Sequence, residues 1–318
     1  MNVKVYRRVY PPYKLASRFE NHPAGWNVEV TLLDEIRQAT LSEVLNIKEL
    51  SSYDRVILDL KWGLIKRQRP FISRIPNLVI HESDAWFNFA PFSGNYRRFE
   101  YFYHRLGPFR LISTSWTASS RFREQGLDVV FVPKSFDSNY YRHLELKRDI
   151  EFGFIGTQKN RIYRKRNRML KDFSQSIPLF ITQTKTKEEY LETLNRIDFF
   201  ISADVGMHEY MIKNFEALAC GCILVAYRQG KEEEALGFVD MNNVVLYSTP
   251  EEALQKIHYL QQNQAEAEAL RKRGMDHVNH CFTVAKRDER LFSALKEEIK
   301  TQRDLRPFSR RATDFLHA

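Results

Sequence analysis

The apolar residues of this chain come in short runs, each bounded by charge and separated from the next by a segment with helical spacing. The longest uncharged apolar stretch, ALACGCILVAY over 217–227, has 11 residues between Glu216 and Arg228. A membrane-spanning helix needs about 18 or more, so none of these runs reads as a span. Runs of this length, alternating with helix-period segments, are the pattern of parallel strands joined by helical crossovers. A strand covered on both faces carries apolar residues at successive positions. Six strands are predicted in the first half, near 2–6, 27–33, 54–60, 77–81, 110–114 and 128–132. Five more are predicted after the polar bridge 133–149, near 151–155, 177–181, 197–202, 222–226 and 243–247. A length of 318 residues agrees with two domains of roughly 150 each.

Helices are predicted over 41–51, 96–105 and 116–125 in the first half. In 250–262, Ala253, Ile257 and Leu260 keep one face, and Pro250 sits where a first-turn proline belongs. Over 265–278, Ala267, Leu270, Gly274 and Val278 form a narrow stripe on a charged cylinder. A last helix, 283–303, carries Val284, Leu291, Leu295 and Ile299 on one face.

Absences narrow the chemistry. No two of the 12 glycines are separated by a single residue, so the dinucleotide fingerprint is missing, and there is no Walker A loop. No Asp-x-Asp pair occurs and no metal cluster is expected. The three cysteines, Cys220, Cys222 and Cys281, lack a disulfide or zinc spacing and read as reduced thiols. The N-terminus is charged at once, without the apolar stretch of a signal peptide, so a cytoplasmic location is expected. The balance of 49 Lys and Arg over 40 Asp and Glu calls for an acidic partner: a phosphorylated small molecule, an anionic membrane face or nucleic acid.

The densest signal is DFFISADVGMHEYMIKNFEALACGCILVAY over 198–226: strand, polar loop, helix, strand. Lys213 and Glu216 are three apart on that helix and share a face. In open α/β sheets ligands sit beyond the carboxyl ends of the strands, where this loop and helix start belong. A carboxylate there can accept both hydroxyls of a ribose, and helix N-terminal N–H groups favour phosphate. An ordinary surface ion pair between Lys213 and Glu216 is the alternative.

HEYMIKNFEALACGCILVA (208–226) resembles the nucleotide-binding signature of group 1 glycosyltransferases with the GT-B fold. The similarity continues through 232–291, and DIEFGFIGT (149–157) is similar to the opening strand of the same lobe. The resemblance implies an α/β fold of two Rossmann-like lobes with parallel sheets and a C-terminal helix crossing back to the first. It implies an N-terminal acceptor lobe over 1–132, an inter-lobe segment over 133–149, a nucleotide-sugar lobe over 150–282, and a cross-over helix with a basic tail over 283–318. By the same resemblance Glu216 binds the donor's ribose, and Lys213 is the basic residue three before it. His208, with Glu209 beside it, stands where a second acidic residue near the donor sugar is often found. The cation facing the diphosphate is expected after the first strand of that lobe. Arg166 fits that spacing best and Lys159 next, with Thr157 at the strand end.

The run 159–171 holds seven positive charges in 13 residues. It also reads as a solvated helix face or a nucleic-acid contact, although no recognised nucleic-acid module accompanies it. In HESDAWFNF (81–89) the resemblance makes Asp84 the first candidate for catalytic base or acceptor anchor. His81 is the second, its plain alternative being a hydrogen-bonded strand-end histidine. Arg7, Arg8 and Lys14 are available to an anionic acceptor. The expectation is a metal-independent glycosyltransferase without cofactor, taking a nucleotide sugar and a glycan or lipid-linked acceptor in bacterial surface polysaccharide or lipopolysaccharide assembly. A peripheral contact with an anionic membrane fits the aromatic and basic segments 97–103 and 102–110 and the tail 303–318. No nucleic acid is expected; the alternatives are a basic nucleic-acid-binding protein and an epimerase or hydrolase on the same frame.

Overall fold

A computed structural model describes residues 1–7, 19, 21–33, 41–159, 163–206 and 208–300. Arg8, Lys14, Arg161 and the tail 303–318 lie outside the described residues. The chain forms two compact units. One is built from β1 (Asn2–Arg7), residues 22–132 and residues 291–300; the other is built from residues 133–290. Residues 133–149 count with the second unit.

The first lobe carries β1, β2 (Asn27–Leu32), β3 (Arg55–Asp59), β4 (Leu78–Glu82), β5 (Phe109–Ser113) and β6 (Val129–Phe131). They form one parallel sheet in the order β2-β1-β3-β4-β5-β6. The central strands read as apolar runs because both faces are covered: Val56, Ile57, Val79, Ile80, Leu111 and Ile112 are fully buried. The edge strand β2 is covered least, leaving Val30 and Leu32 exposed. Over one face Trp62 stacks on Phe99 at 4.0 Å between centroids, with Phe102 and Tyr103 edge-on. Each such aromatic pair adds about 0.5–1.5 kcal/mol beyond its buried area.

The second lobe carries β7 (Ile150–Ile155), β8 (Phe180–Thr182), β9 (Ile197–Ser202), β10 (Ile223–Tyr227) and β11 (Val245–Tyr247). Its sheet is also parallel, in the order β11-β10-β9-β7-β8. The expected stripe Ala267, Leu270, Gly274 and Val278 is the buried face of the helix Gln264–Cys281. A Cβ on Gly274 would lie 2.6 Å from the Asn243 carbonyl oxygen and 2.8 Å from a Leu218 methyl. Only glycine lets that helix approach so closely. Pro250 opens the helix Pro250–Gln262, capped by the Thr249 hydroxyl, which accepts from the Glu252 N–H at 3.3 Å. This is a first-turn proline behind a threonine cap.

Two helical expectations change. The segment 41–51 is two short helices, Leu41–Val44 and Ile47–Leu50. Asn46 breaks it, because its side chain accepts from the Lys48 N–H at 3.1 Å and starts a new helix. The last helix runs over Val284–Lys296 and stops short of 303. Buried Arg110 collects the terminal carbonyls, donating to those of Ala294, Glu297 and Glu298 while pairing with Asp128 at 2.9 Å. The Lys300 N–H then donates to Asp128 at 3.0 Å, beyond the helix end. Cys220 and Cys222 are buried and Cys281 half-buried, all three as free thiols.

Candidate functional site

The order of the second sheet reverses between β7 and β9, and the crevice at such a reversal, beyond the carboxyl ends, is where open α/β sheets bind ligands. β7 ends at Ile155, followed by Gly156 and Thr157; β9 ends at Ser202, followed by Ala203 and Asp204. The polar loop after β9 leads into the helix Ile212–Ala219, whose N-cap, Met211, offers no side-chain cap. Its first N–H groups therefore leave partial positive charge at that end.

Lys213, in the first turn, reaches the end of β7: its Nζ donates to the Ile155 carbonyl at 3.1 Å and lies 4.5 Å from the centre of the Phe154 ring. A Cβ on Gly156 would sit 2.5 Å from that Nζ, so the glycine makes room for the amine. Burial, and then the Arg166 guanidinium, push Lys213 down to about 8, against the opposing pull of Asp204 and Glu216. Glu216 faces elsewhere. Its Oε2 accepts from the Tyr190 hydroxyl at 2.7 Å, and among the described residues it forms no ion pair with Lys213. The surface-pair alternative is therefore not what the side chains do. Burial pushes the Glu216 carboxyl up to about 7, while Tyr190, Lys213 and Lys187 favour its charged form.

Arg166 lies on the helix Arg164–Ser174, whose buried positions are Arg166, Leu170 and Phe173. The basic run thus divides by helical period. Arg164, Lys165, Arg168 and Lys171 are exposed, and Arg166 is only 2% exposed. Its guanidinium meets Asp204 at 2.6 Å and covers the Tyr163 ring at 4.1 Å. Asp204 also accepts from the Ser202 hydroxyl at 3.2 Å and the Asn214 amide at 3.1 Å. Burial works to raise Asp204, but the charges of Arg166 and Lys213 and these hydrogen bonds hold it below the usual carboxylate range. Arg166 thus ties the loop after β9 to the helix Arg164–Ser174.

Glu209 is buried and paired with Lys134 at 2.6 Å. His208 beside it is exposed, with a φ of 50°. Lys159 is exposed, and its N–H donates to the Thr157 hydroxyl at 3.3 Å. The second lobe therefore brings Lys213, Glu216, Thr157 and the start of the Ile212–Ala219 helix to one end of its sheet, and assigns Arg166 and Glu209 to buried ion pairs.

The first lobe gathers charge at the carboxyl ends of its central strands. Arg7 closes β1, Asp59 closes β3, and His81 and Glu82 close β4; all four are buried. His81 Nδ1 lies 2.8 Å from Asp59 Oδ1, and Arg7 Nε lies 3.7 Å from Asp59 Oδ2. Asp84 is exposed, and its N–H donates to Glu82 Oε1 at 2.8 Å. Sequence reasoning missed Asp59, Tyr190, Asp204 and Lys134. Asp59 carried a signal, an acid closing an apolar run, RVILD; Tyr190 carried none. Among the described residues no group of three His, Cys, Asp or Glu side chains is placed to hold a metal ion.

A family model described as glycosyl transferase-like matches residues 145–293. No curated protein is matched. Among solved structures, Anabaena Alr3699/HepE in complex with UDP-glucose aligns over 93% of this chain and 99% of its own, at 12% identity and a TM-score of 0.63. Sucrose-phosphate synthase (tll1590) from Thermosynechococcus elongatus aligns over 86% and 90%, at 11% identity and a TM-score of 0.59. The pneumococcal O-GlcNAc transferase GtfA in complex with UDP and GlcNAc aligns over 81% of this chain and 58% of its own, at 12% identity and a TM-score of 0.52. Residues 145–293, the second lobe, are thus similar to glycosyl transferase-like proteins, and with both lobes built on parallel sheets like those of these structures the chain has the GT-B fold.

Proposed function

We propose that the second lobe binds a nucleotide-sugar donor through Glu216 and Lys213, and that the first lobe receives a glycan or lipid-linked acceptor. The observation that carries this reading is the separation of those two side chains. Glu216 keeps one carboxylate oxygen without a partner among the described residues, while Lys213 and an uncapped helix start stand at the carboxyl end of β7. The ribose falls to Glu216. The diphosphate falls to Lys213, the helix N–H groups, Thr157 and Lys159, with His208 toward the sugar. As the anomeric carbon leaves the diphosphate oxygen and bonds the acceptor oxygen, negative charge grows on the leaving group. Fixed positive charge at that point lowers the barrier. This arrangement does its work without a metal ion or a cofactor. The solved structures of HepE and GtfA with UDP ligands make a uridine nucleotide the first donor to test.

In the first lobe, His81 held by Asp59, with Asp84 beside it, serves the acceptor hydroxyl. Exposed Phe92, Tyr96 and Tyr101 lie among the exposed Arg97, Arg98 and Arg105. Aromatic side chains mixed with cations suit the interface of an anionic bilayer. No helix among the described residues is long and apolar enough to cross a membrane. The reading therefore places the enzyme at the cytoplasmic face of a bacterial membrane, acting in surface polysaccharide or lipopolysaccharide assembly. A thermal-shift screen against UDP, GDP, CDP, ADP and dTDP tests the donor half. A ligand at ~100 times its dissociation constant stabilises by about 2.7 kcal/mol, and no shift with any of them would refute the donor reading. Flotation with liposomes tests the membrane half; recovery unchanged by anionic lipid would remove it.

A further inference from the structure

The carboxylate of Glu216 is not symmetrically available. Its Oε2 accepts the Tyr190 hydroxyl at 2.7 Å, and no donor among the described residues reaches Oε1. Tyr190 is firmly set. It sits on the helix Lys187–Arg196, whose start is fixed by the Thr186 hydroxyl accepting the Glu189 N–H at 3.1 Å. Its ring meets buried Tyr141 edge-on, 5.8 Å between centroids at 84°. Burial, with Glu216 beside it, holds the Tyr190 phenol well above its ordinary value, so it remains a donor across the working pH range.

A ribose presents two neighbouring hydroxyls, and a carboxylate with both oxygens open takes one on each. Here one of the two oxygens already has a donor. We propose that Tyr190 limits Glu216 to a single ribose hydroxyl, so that the site binds the ribonucleoside diphosphate and one of its two deoxy analogues with nearly equal affinity. This rests on the reading that Glu216 faces the ribose. It deepens that reading by extending the donor class to nucleotides that lack one of the two hydroxyls. Tyr190 is a specificity-determining residue that acts through Glu216.

The test is calorimetric titration of UDP and GDP, each as the ribo, 2′-deoxy and 3′-deoxy form, into the wild-type chain, Tyr190→Phe and Glu216→Ala. For whichever base binds, wild type should lose tenfold or more with one deoxy form and stay within about threefold with the other, since a hydrogen bond to a charged group carries roughly that factor. Tyr190→Phe frees Oε2 and should lose tenfold or more with both deoxy forms. Equal losses with both in wild type, no loss with either, or a Tyr190→Phe pattern identical to wild type would overturn the proposal. The wild-type comparison needs no variant and decides the matter even if Tyr190→Phe folds poorly. Glu216→Ala separates the two levels. If it binds the ribo form as tightly as wild type, or if neither base binds wild type, the ribose reading itself fails; if it weakens while the deoxy pattern is flat, only the role of Tyr190 fails.

Discussion

Arg166 fits the family spacing for a diphosphate ligand, yet its side chain is buried against Asp204, and replacing it with methionine separates the two roles. The pair stands at 2.6 Å, with Arg166 2% and Asp204 1% exposed. Removing one partner of a buried ion pair costs about 3–5 kcal/mol, because the other charge stays buried without its counter-charge. Asp204 keeps the Ser202 hydroxyl, the Asn214 amide and the charge of Lys213, so a loss near the lower end, about 3 kcal/mol, is expected. Adding Asp204→Asn removes the stranded charge, and the double variant should be more stable than the sum of the single losses predicts, by at least about 1 kcal/mol. Urea unfolding of wild type, both single variants and the double variant measures this coupling. Nucleoside diphosphate titration of the folded Arg166→Met chain should stay within about threefold of wild type. If Arg166→Met keeps its stability within about 0.5 kcal/mol, a shift typical of an exposed position, and loses tenfold or more in diphosphate affinity, the structural assignment of Arg166 is refuted.

Two further outcomes follow from the site. Turnover should survive EDTA, and activity abolished by chelation and restored by Mn²⁺ or Mg²⁺ would contradict the proposed metal-free donor site. The Glu216 carboxyl, pushed up to about 7, must ionise to accept a ribose hydroxyl, and Lys213, pushed down to about 8, must stay protonated to hold phosphate. Diphosphate affinity should therefore peak between about pH 7 and 8 and fall on both sides. Stability has its own sign: the folded chain holds the Glu216 proton between about 4.5 and 7 while the unfolded chain releases it. The Glu216 contribution is thus fully present at acid pH and declines across that window by up to about 3 kcal/mol. Glu216→Gln should flatten the slope, and an unchanged slope would contradict the burial argument.

The strand rhythm was legible because parallel strands covered on both faces leave uninterrupted apolar runs, and RVILD, NLVIH and CILVA each fall on an observed strand. The stripe Ala267, Leu270, Gly274 and Val278 was legible for the same reason in helical period. The stop at Lys296 was not, because it depends on Arg110, 184 residues away from the Ala294 carbonyl it holds. At the site, local spacing put Lys213 and Glu216 on one helix but could not say that their heads diverge, one to the β7 end and one to Tyr190. Arg166 shows the limit most clearly. Spacing along a basic run does not reveal which cation the 3.6-residue period turns inward, and Asp204, 38 residues on, is invisible from there.

The central claim is that Glu216 holds the ribose of the donor while Lys213 holds its phosphates. The measurement that tests it most directly is titration of Glu216→Ala and Lys213→Ala with the nucleoside, monophosphate and diphosphate of the base that binds. Glu216→Ala removes a charged acceptor and should weaken all three roughly tenfold to a hundredfold. Lys213→Ala should weaken the diphosphate most and the bare nucleoside least. A Glu216→Ala chain that folds normally and binds the diphosphate as tightly as wild type would contradict the account.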